Sequence, residues 1–222
     1  GTAESILADV QIDGQPRKVL FNVNKNGFLY ALDRTNGQLI AAHPFVAQNW
    51  AKYIDLKTGR PVLTDLLDRA IKGETIDLVP ARATNATLSA YNPKTGLVYL
   101  NSWEVIRVMK FVDVKLVVGS GYTGIDTSYK DPANLAPGYH IAMDPLTGRI
   151  AWKIPLQEFA VSAGTLATDG GLLFTGKLTG EFIALDQDTG QQLWQFKTGS
   201  SVNAPPITYT YKGRQYVTIL SG

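Results

Sequence analysis

The stretch Ala142-Met143-Asp144-Pro145-Leu146-Thr147-Gly148 decides the fold of this chain, because near-copies of it occur three more times. The other copies lie at residues 31–37, 90–96 and 184–190, and the four closing glycines are 59, 52 and 42 residues apart. A repeat of β-rich units at about this period is typical of propeller blades. We therefore predict an all-β fold, a β-propeller of four-stranded antiparallel blades, with about four consecutive blades in an open arc.

The residues around the last copy have the strand content of one such blade. Four strand-like runs, at 165–168, 172–175, 181–186 and 191–196, are separated by glycine-containing turns, as antiparallel hairpins require. In each copy the Asp or Asn side chain can accept hydrogen bonds from amides two or three residues on, and Gly tolerates positive φ. Trp152 and Trp194 follow their closing glycines by four residues. We predict that these rings pack against a neighbouring blade.

Two segments interrupt the repeats, and we predict that they are insertions in one partial propeller domain of residues 1–222. The first insertion, near 60–82, contains residues 64–73, where the apolar spacing, a capping Thr and a closing Gly predict a short helix. The second, near 110–138, is rich in Gly and Pro. Long loops usually gather at one face of a propeller and shape a site.

The composition excludes several classes of function. The 222 residues carry a formal net charge of only +2, with the basic residues scattered, which argues against a nucleic-acid partner. There is no cysteine, so thiol catalysis, thiolate metal sites and disulfides are excluded within this chain. No run approaches the roughly 18 apolar residues of a membrane-spanning helix.

Few residues form a recognisable chemical motif. His43 and His140 are the two histidines, and they lack the spacing of a zinc site, so we predict that each is a loop or surface residue. The glycine-rich residues 119–124 lack the Lys-Ser/Thr end of a phosphate-binding loop. Lys25, in a polar turn between two apolar strands, could reach an anionic ligand near the propeller axis, but a solvated turn lysine fits the same pattern. Asn85 is equally open to both interpretations.

Several stretches closely resemble one known family, the quinoprotein alcohol dehydrogenases of the methanol and ethanol dehydrogenase type. The most specific begins Asn26-Gly27-Phe28-Leu29-Tyr30 and continues to residue 37, followed by 44–46 and 49–61. Matching stretches follow in the same order along most of the chain, at residues 91–99, 164–168, 173–176, 196–200 and 204–209.

This resemblance implies an eight-bladed propeller, of which the chain would be roughly the second half. It also implies the cofactor pyrroloquinoline quinone (PQQ) on the propeller axis, beside a calcium or lanthanide ion and a metal-bound aspartate that acts as base. In the family order those features precede Gly1, so we assign no catalytic residue and no metal ligand within this chain.

The resemblance implies that two residues of this chain contact the cofactor. Lys25 occupies the place of a family Arg or Lys that contacts the quinone oxygens, where a cation stabilises developing negative charge. Asn85 matches a family Asn that contacts the cofactor. This sequence departs from the family at two places. The family has a Trp directly after that Asn, where this chain has Ala86, and many members have another Trp near the position of Ser162-Ala163.

The function implied by the resemblance is that of a periplasmic PQQ-dependent dehydrogenase that oxidises a primary alcohol to an aldehyde. Electrons would pass to a cytochrome c or a membrane quinone, and the missing propeller half would complete the enzyme, the isolated chain being inactive. The alternative is a non-catalytic propeller of the same superfamily that acts as a binding or assembly scaffold. A Cys-Cys pair, a metal site and a stacking Trp upstream would favour the enzyme. A WD-type propeller is disfavoured, because the repeats lack its Gly-His and Trp-Asp signature.

Overall fold

The structure is a computed structural model that describes residues 4–85, 87–129, 138–156 and 163–222. It consists of short strands with one helix among these residues, α1 (Leu66–Ile71). The strands are β1 (Ser5–Ile12), β2 (Gln15–Val23), β3 (Phe28–Asp33), β4 (Leu39–Pro44), β5 (Ala51–Ile54), β6 (Pro61–Leu63), β7 (Ile76–Leu78), β8 (Ala90–Asn92), β9 (Leu97–Trp103), β10 (Arg107–Phe111), β11 (Ile125–Tyr129), β12 (Gly138–Met143), β13 (Ile150–Leu156), β14 (Leu166–Ala167), β15 (Leu172–Gly176), β16 (Glu181–Asp186), β17 (Gln192–Lys197), β18 (Ile207–Tyr211) and β19 (Arg214–Thr218). In the described part of the chain, the helix is too short to cross a bilayer.

Three four-stranded antiparallel sheets form the body of the molecule. The first sheet has the order β1-β2-β3-β4, the second β13-β12-β9-β8 and the third β14-β15-β16-β17. A two-stranded hairpin, β18–β19, follows the third sheet. The prediction of an all-β propeller fold is confirmed, with three complete sheets and a further hairpin in place of four complete blades.

The repeated turn has the same geometry wherever it occurs. At 144–148 the Gly148 amide donates to the Asp144 carbonyl oxygen over 3.0 Å, while Asp144 Oδ1 accepts from the Leu146 amide over 2.9 Å. Gly148 has φ +77°, in the left-handed region that glycine adopts at little cost. Residues 55–59 form the same turn between β5 and β6, outside the three sheets. The copies at 90–96 and 142–148 belong to one sheet, so the motif marks a hairpin turn and not one blade.

Two apolar layers hold the three sheets together. Between the first and second sheets the layer includes Val19, Phe21, Val98, Leu100, Ile141 and Met143, all almost completely buried. Between the second and third sheets it includes Leu97, Tyr99, Trp152, Leu173, Ile183 and Leu185. At roughly 1.5–3 kcal/mol for each buried large side chain, these layers are the main force that joins sheet to sheet.

The elements outside the three sheets also contact one another. The hairpin β5–β6, helix α1 and β7 lie between the first and second sheets in the chain, whereas β10 and β11 lie between β9 and β12. Strand β7 pairs with β10, so distant parts of the chain form a three-stranded sheet of order β11-β10-β7. Helix α1 confirms the predicted helix, and its Leu66 and Ala70 pack against Ile76. Residues 130–137, within the second predicted insertion, lie outside the described residues.

Candidate functional site

The segments that lead into the second and third sheets meet on one side of the molecule. The Thr165 amide donates to the Leu88 carbonyl oxygen over 3.0 Å, so the entry to the third sheet lies against the entry to the second. At Gly164 a Cβ atom would lie 2.8 Å from Pro205 Cβ and 3.0 Å from Leu88 Cβ, so a side chain there would clash. Strands β8 and β14, the first of their sheets, contact each other as well. We identify this shared side with the central channel that a propeller encloses.

The turn that carries Lys25 is held in one conformation by its neighbours. Asn24 Oδ1 accepts from the Asn26 amide over 3.2 Å, and Asn26 Oδ1 accepts from the Phe28 amide over 3.1 Å. Gly27 has φ +94°, and a Cβ atom there would lie 3.2 Å from side-chain atoms of Pro80. This turn therefore holds the backbone of Lys25 in place, while the side chain is exposed and forms no ion pair with any residue that the structure describes.

The backbone joins the Lys25 turn to the segment that contains Asn85. The Ala83 amide donates to the Lys25 carbonyl oxygen over 3.0 Å, and the Ala83 carbonyl oxygen accepts from the Trp103 amide over 2.8 Å. Asn85 lies two residues further along and is half-buried. Ala86, where the sequence departs from the family, lies outside the described residues, as does Ser162. The structure thus places the backbones of the two predicted cofactor residues in neighbouring segments.

Arg82 is a second cation in this region, beside Lys25, and no sequence motif marks it. Its guanidinium carbon lies 4.8 Å from the centre of the Trp103 ring, a cation–π distance. Its Nε atom is buried and has no hydrogen-bond partner among the described residues. A basic residue three positions before Asn85 was the available signal. Only the fold shows that this segment adjoins the Lys25 turn.

The histidines are not where they were expected. His43 lies in β4, and its Nε2 contacts the Leu146 carbonyl oxygen at 2.9 Å, which links the first and second sheets. His140 lies in β12 and is buried. The prediction that each is a loop or surface residue is therefore wrong, since both belong to strands that pack against a neighbouring sheet. Among the described residues, no group of three or more His, Cys, Asp or Glu side chains could hold a metal ion.

Comparison with known proteins connects this geometry to one family. Residues 137–217 match the family model described as the glucose/ethanol/alcohol dehydrogenase β-propeller domain. Over its whole length the chain is 39% identical to quinohemoprotein alcohol dehydrogenase ADH IIB from Pseudomonas putida, and it covers 32% of that protein. It is 36% identical to the lanthanide-dependent methanol dehydrogenase of Methylorubrum extorquens and covers 39% of that protein.

Solved structures agree with the sequence relatives. Quinohemoprotein alcohol dehydrogenase ADHIIG from Pseudomonas putida HK5 superposes with a TM-score of 0.89 at 35% identity, over 99% of this chain and 34% of that one. A europium-containing methanol dehydrogenase superposes with a TM-score of 0.87 at 33% identity, over 99% of this chain and 39% of that one. The chain spans about a third of the length of its relatives. Along its whole length the chain is therefore similar to part of the β-propeller of the quinoprotein alcohol dehydrogenases.

Proposed function

We propose that this chain forms part of a PQQ-dependent alcohol dehydrogenase, in which Lys25 and Asn85 contact the cofactor. One observation carries the proposal: the Ala83–Lys25 backbone hydrogen bond brings the two candidate segments together in a chain that is related to quinoprotein dehydrogenases along its whole length. The substrate would be a primary alcohol and the product an aldehyde.

The residues at this place fit the chemistry of the cofactor. PQQ is an anionic quinone, and its quinone group supplies the two-electron oxidation when it is bound. Lys25 has an exposed ammonium group without an ion-pair partner in the described chain, and Asn85 offers an amide that can donate or accept. Lys25 would hold its charge against a quinone oxygen, where it stabilises negative charge, and Asn85 would orient the ring plane.

The rigidity of the Lys25 turn supports this role. A cation contributes most to catalysis when its position is set before the reaction, since no energy is then spent on reorganisation. Asn24 Oδ1 and Asn26 Oδ1 accept hydrogen bonds from backbone amides and so fix the backbone from which the Lys25 side chain projects.

The remaining parts of the proposal concern groups beyond this chain. We expect other residues of the complete protein to bind the calcium or lanthanide ion, and the catalytic aspartate to be among them. A lanthanide-dependent methanol dehydrogenase and quinohemoprotein alcohol dehydrogenases are among the relatives, which favours a metal ion and a cytochrome-type electron acceptor, the alternative being a membrane quinone. We expect the complete protein to lie in the periplasm.

The proposal can be tested by steady-state kinetics on the full-length protein reconstituted with PQQ and either calcium or a lanthanide. Lys25→Ala should lower kcat by roughly 10²–10³-fold, the loss typical of one preorganised charge-stabilising group. Lys25→Arg should be milder, because it keeps the cation. Lys57→Ala is the matched control, since Lys57 is also an exposed turn lysine but lies in the β5–β6 hairpin. Wild-type turnover in Lys25→Ala would remove Lys25 from the site.

A non-catalytic scaffold is the second candidate, favoured by the replacement of the family tryptophans at Ala86 and near Ser162-Ala163. Equilibrium titration of the full-length protein with PQQ separates the two functions. Saturable binding that weakens in Lys25→Ala supports the enzyme. If PQQ does not bind at all in the presence of either metal, the scaffold is the better conclusion.

A further inference from the structure

Two buried polar side chains lie between the second and third sheets, at a pair of strand positions where the first and third sheets have no polar residue. His140 on β12 is directly opposite Asn101 on β9, and His140 is only 3% exposed. The equivalent pair in the first sheet is Leu29 opposite Val23. In the third sheet it is Phe182 opposite Gly176, a position again without polar side chains. The propeller fold therefore does not require a polar pair here.

The hydrogen bonds of this pair determine which nitrogen of His140 carries the proton. Asn101 Nδ2 donates to the Ala163 carbonyl oxygen over 2.5 Å, and a carbonyl can only accept, so the amide orientation is settled. Asn101 Oδ1 must then accept, and it lies 2.5 Å from His140 Nδ1. The proton is therefore on Nδ1, and Nε2 presents a lone pair.

The imidazole is neutral at physiological pH. Burial, and secondly the positive charge of Lys177, lower the pKa of His140 from 6.5 to about 3. Nε2 is buried and has no hydrogen-bond partner among the residues that the structure describes. A buried acceptor without a donor is unfavourable, so this atom calls for a hydrogen-bond donor.

His140 lines a cleft of about 280 Å³ between the second and third sheets. Its other walls include Ile154, Leu156, Ile183 and Leu185, with Lys177 at the same cleft. A water molecule occupies about 30 Å³ in the liquid, so the cleft has room for a ligand of several heavy atoms. The aliphatic walls favour a hydrocarbon portion, and the ammonium group of Lys177 favours a negative charge.

We propose that this cleft binds a small organic anion that carries a hydroxyl group, of the size and kind of a short 2-hydroxycarboxylate. The hydroxyl donates to His140 Nε2, the carboxylate pairs with Lys177, and the carbon chain packs against the aliphatic walls. A metal cation does not suit the cleft, because one imidazole beside an ammonium group is a poor ligand set. The site is separate from the Lys25 turn and does not depend on the proposed dehydrogenase activity.

The test uses full-length protein without PQQ, labelled with ¹⁵N-histidine and titrated with L-lactate. Lactate should shift the Nε2 resonance of His140 saturably, with a dissociation constant on the order of 1 mM for so small a ligand. The signal is assigned by its loss in His140→Phe. Phenylalanine is chosen because Phe182 occupies the equivalent position of the third sheet. Propanoate lacks the hydroxyl and propan-2-ol lacks the carboxylate, so each should bind at least about tenfold more weakly.

Lys177→Met should weaken lactate binding by about tenfold or more, whereas Lys57→Met, at an exposed lysine in a different hairpin, should not. If His140→Phe does not fold, the Lys177 and Lys57 variants still decide the matter. No shift of either His140 nitrogen at lactate concentrations a hundred times the expected constant overturns the proposal and means that the cleft holds water only. Equal binding of lactate and propan-2-ol, unchanged in Lys177→Met, overturns it as well.

Discussion

The turns at 144–148 and 186–190 are the same structure in two different surroundings. In both, the closing glycine amide donates to the Asp carbonyl oxygen, and the preceding strand has a register shift at the same place. Trp152, after the first turn, is 9% exposed and donates from Nε1 to the Gln187 carbonyl oxygen over 2.8 Å. Trp194, after the second turn, is 48% exposed. A local motif therefore makes the turn, but a neighbouring sheet buries the ring.

The contacts of the two rings show what the neighbouring sheet supplies. Trp152 packs against Tyr99 and against the third sheet, where Gly190 leaves room for the ring. Trp194 stacks parallel to Phe196 of its own strand, with ring centres 6.3 Å apart, and β17 is exposed along its whole length. The outer face of the third sheet is thus an apolar surface, of the kind that associates with other protein.

The largest expected difference is in stability. Trp152→Ala should lower the free energy of unfolding by about 3–5 kcal/mol, because it empties a buried site between two sheets. Trp194→Ala should cost less than about 1 kcal/mol, since its ring is half-exposed. Urea unfolding of dilute chain 1–222 measures both. Equal losses of unfolding free energy in the two variants would mean that Trp194 is as well packed as Trp152, which would contradict the difference in burial between the two rings.

The glycine beneath Trp152 gives the next effect. A Cβ atom at Gly190 would lie 2.4 Å from Ile154 Cδ1 and within 3.0 Å of the Trp152 ring, and Gly190 has φ +73°. Gly190→Ala should cost about 2–3 kcal/mol, from backbone strain together with steric overlap. Gly96→Ala is the matched control, because Gly96 has φ +70° and open space around it, so about 1 kcal/mol is expected. If the two variants are equally stable, Gly190 does not make room for the ring.

The buried imidazole at the same interface should make stability depend on pH. The folded protein keeps His140 neutral, whereas the unfolded chain binds a proton near pH 6.5, so stability is full above that pH. As the pH falls from about 6.5 towards 3, about 1.4 kcal/mol should be lost for each pH unit. Thermal unfolding of the full-length protein between pH 7.5 and about 5 tests this loss. A slope as steep in His140→Phe would assign the loss to other groups.

The smallest expected effect concerns the exposed face of the third sheet. Chain 1–222 should self-associate, and the double substitution Trp194→Ser with Phe196→Ser should weaken association by about tenfold, or 1.4 kcal/mol. Tyr53→Ser is the matched control, because Tyr53 is an exposed aromatic residue in the separate β5–β6 hairpin. Sedimentation velocity measures both. A monomeric wild-type chain at high concentration would contradict the assignment of this face.

The candidate sites differ in how far local sequence predicts them. Lys25 and Asn85 were identified from stretches that resemble a family, and no periodicity of the chain marks them. Arg82 and the pair of His140 and Asn101 were missed, because their surroundings come from strands that are distant in sequence. A lone histidine in a sequence has no signal for burial, since burial depends on which sheet packs against it.

The sequence by itself determined the hairpin turns, the antiparallel sheets and the short helix. These are set by hydrogen bonds and backbone preferences within a few residues, such as Asp144 with Leu146, or Gly148 at positive φ. The sequence did not determine that the copies at 90–96 and 142–148 share a sheet, or that β7 pairs with β10. Only the tertiary structure decided those pairings and the unequal burial of Trp152 and Trp194, because each depends on surface supplied by a distant segment.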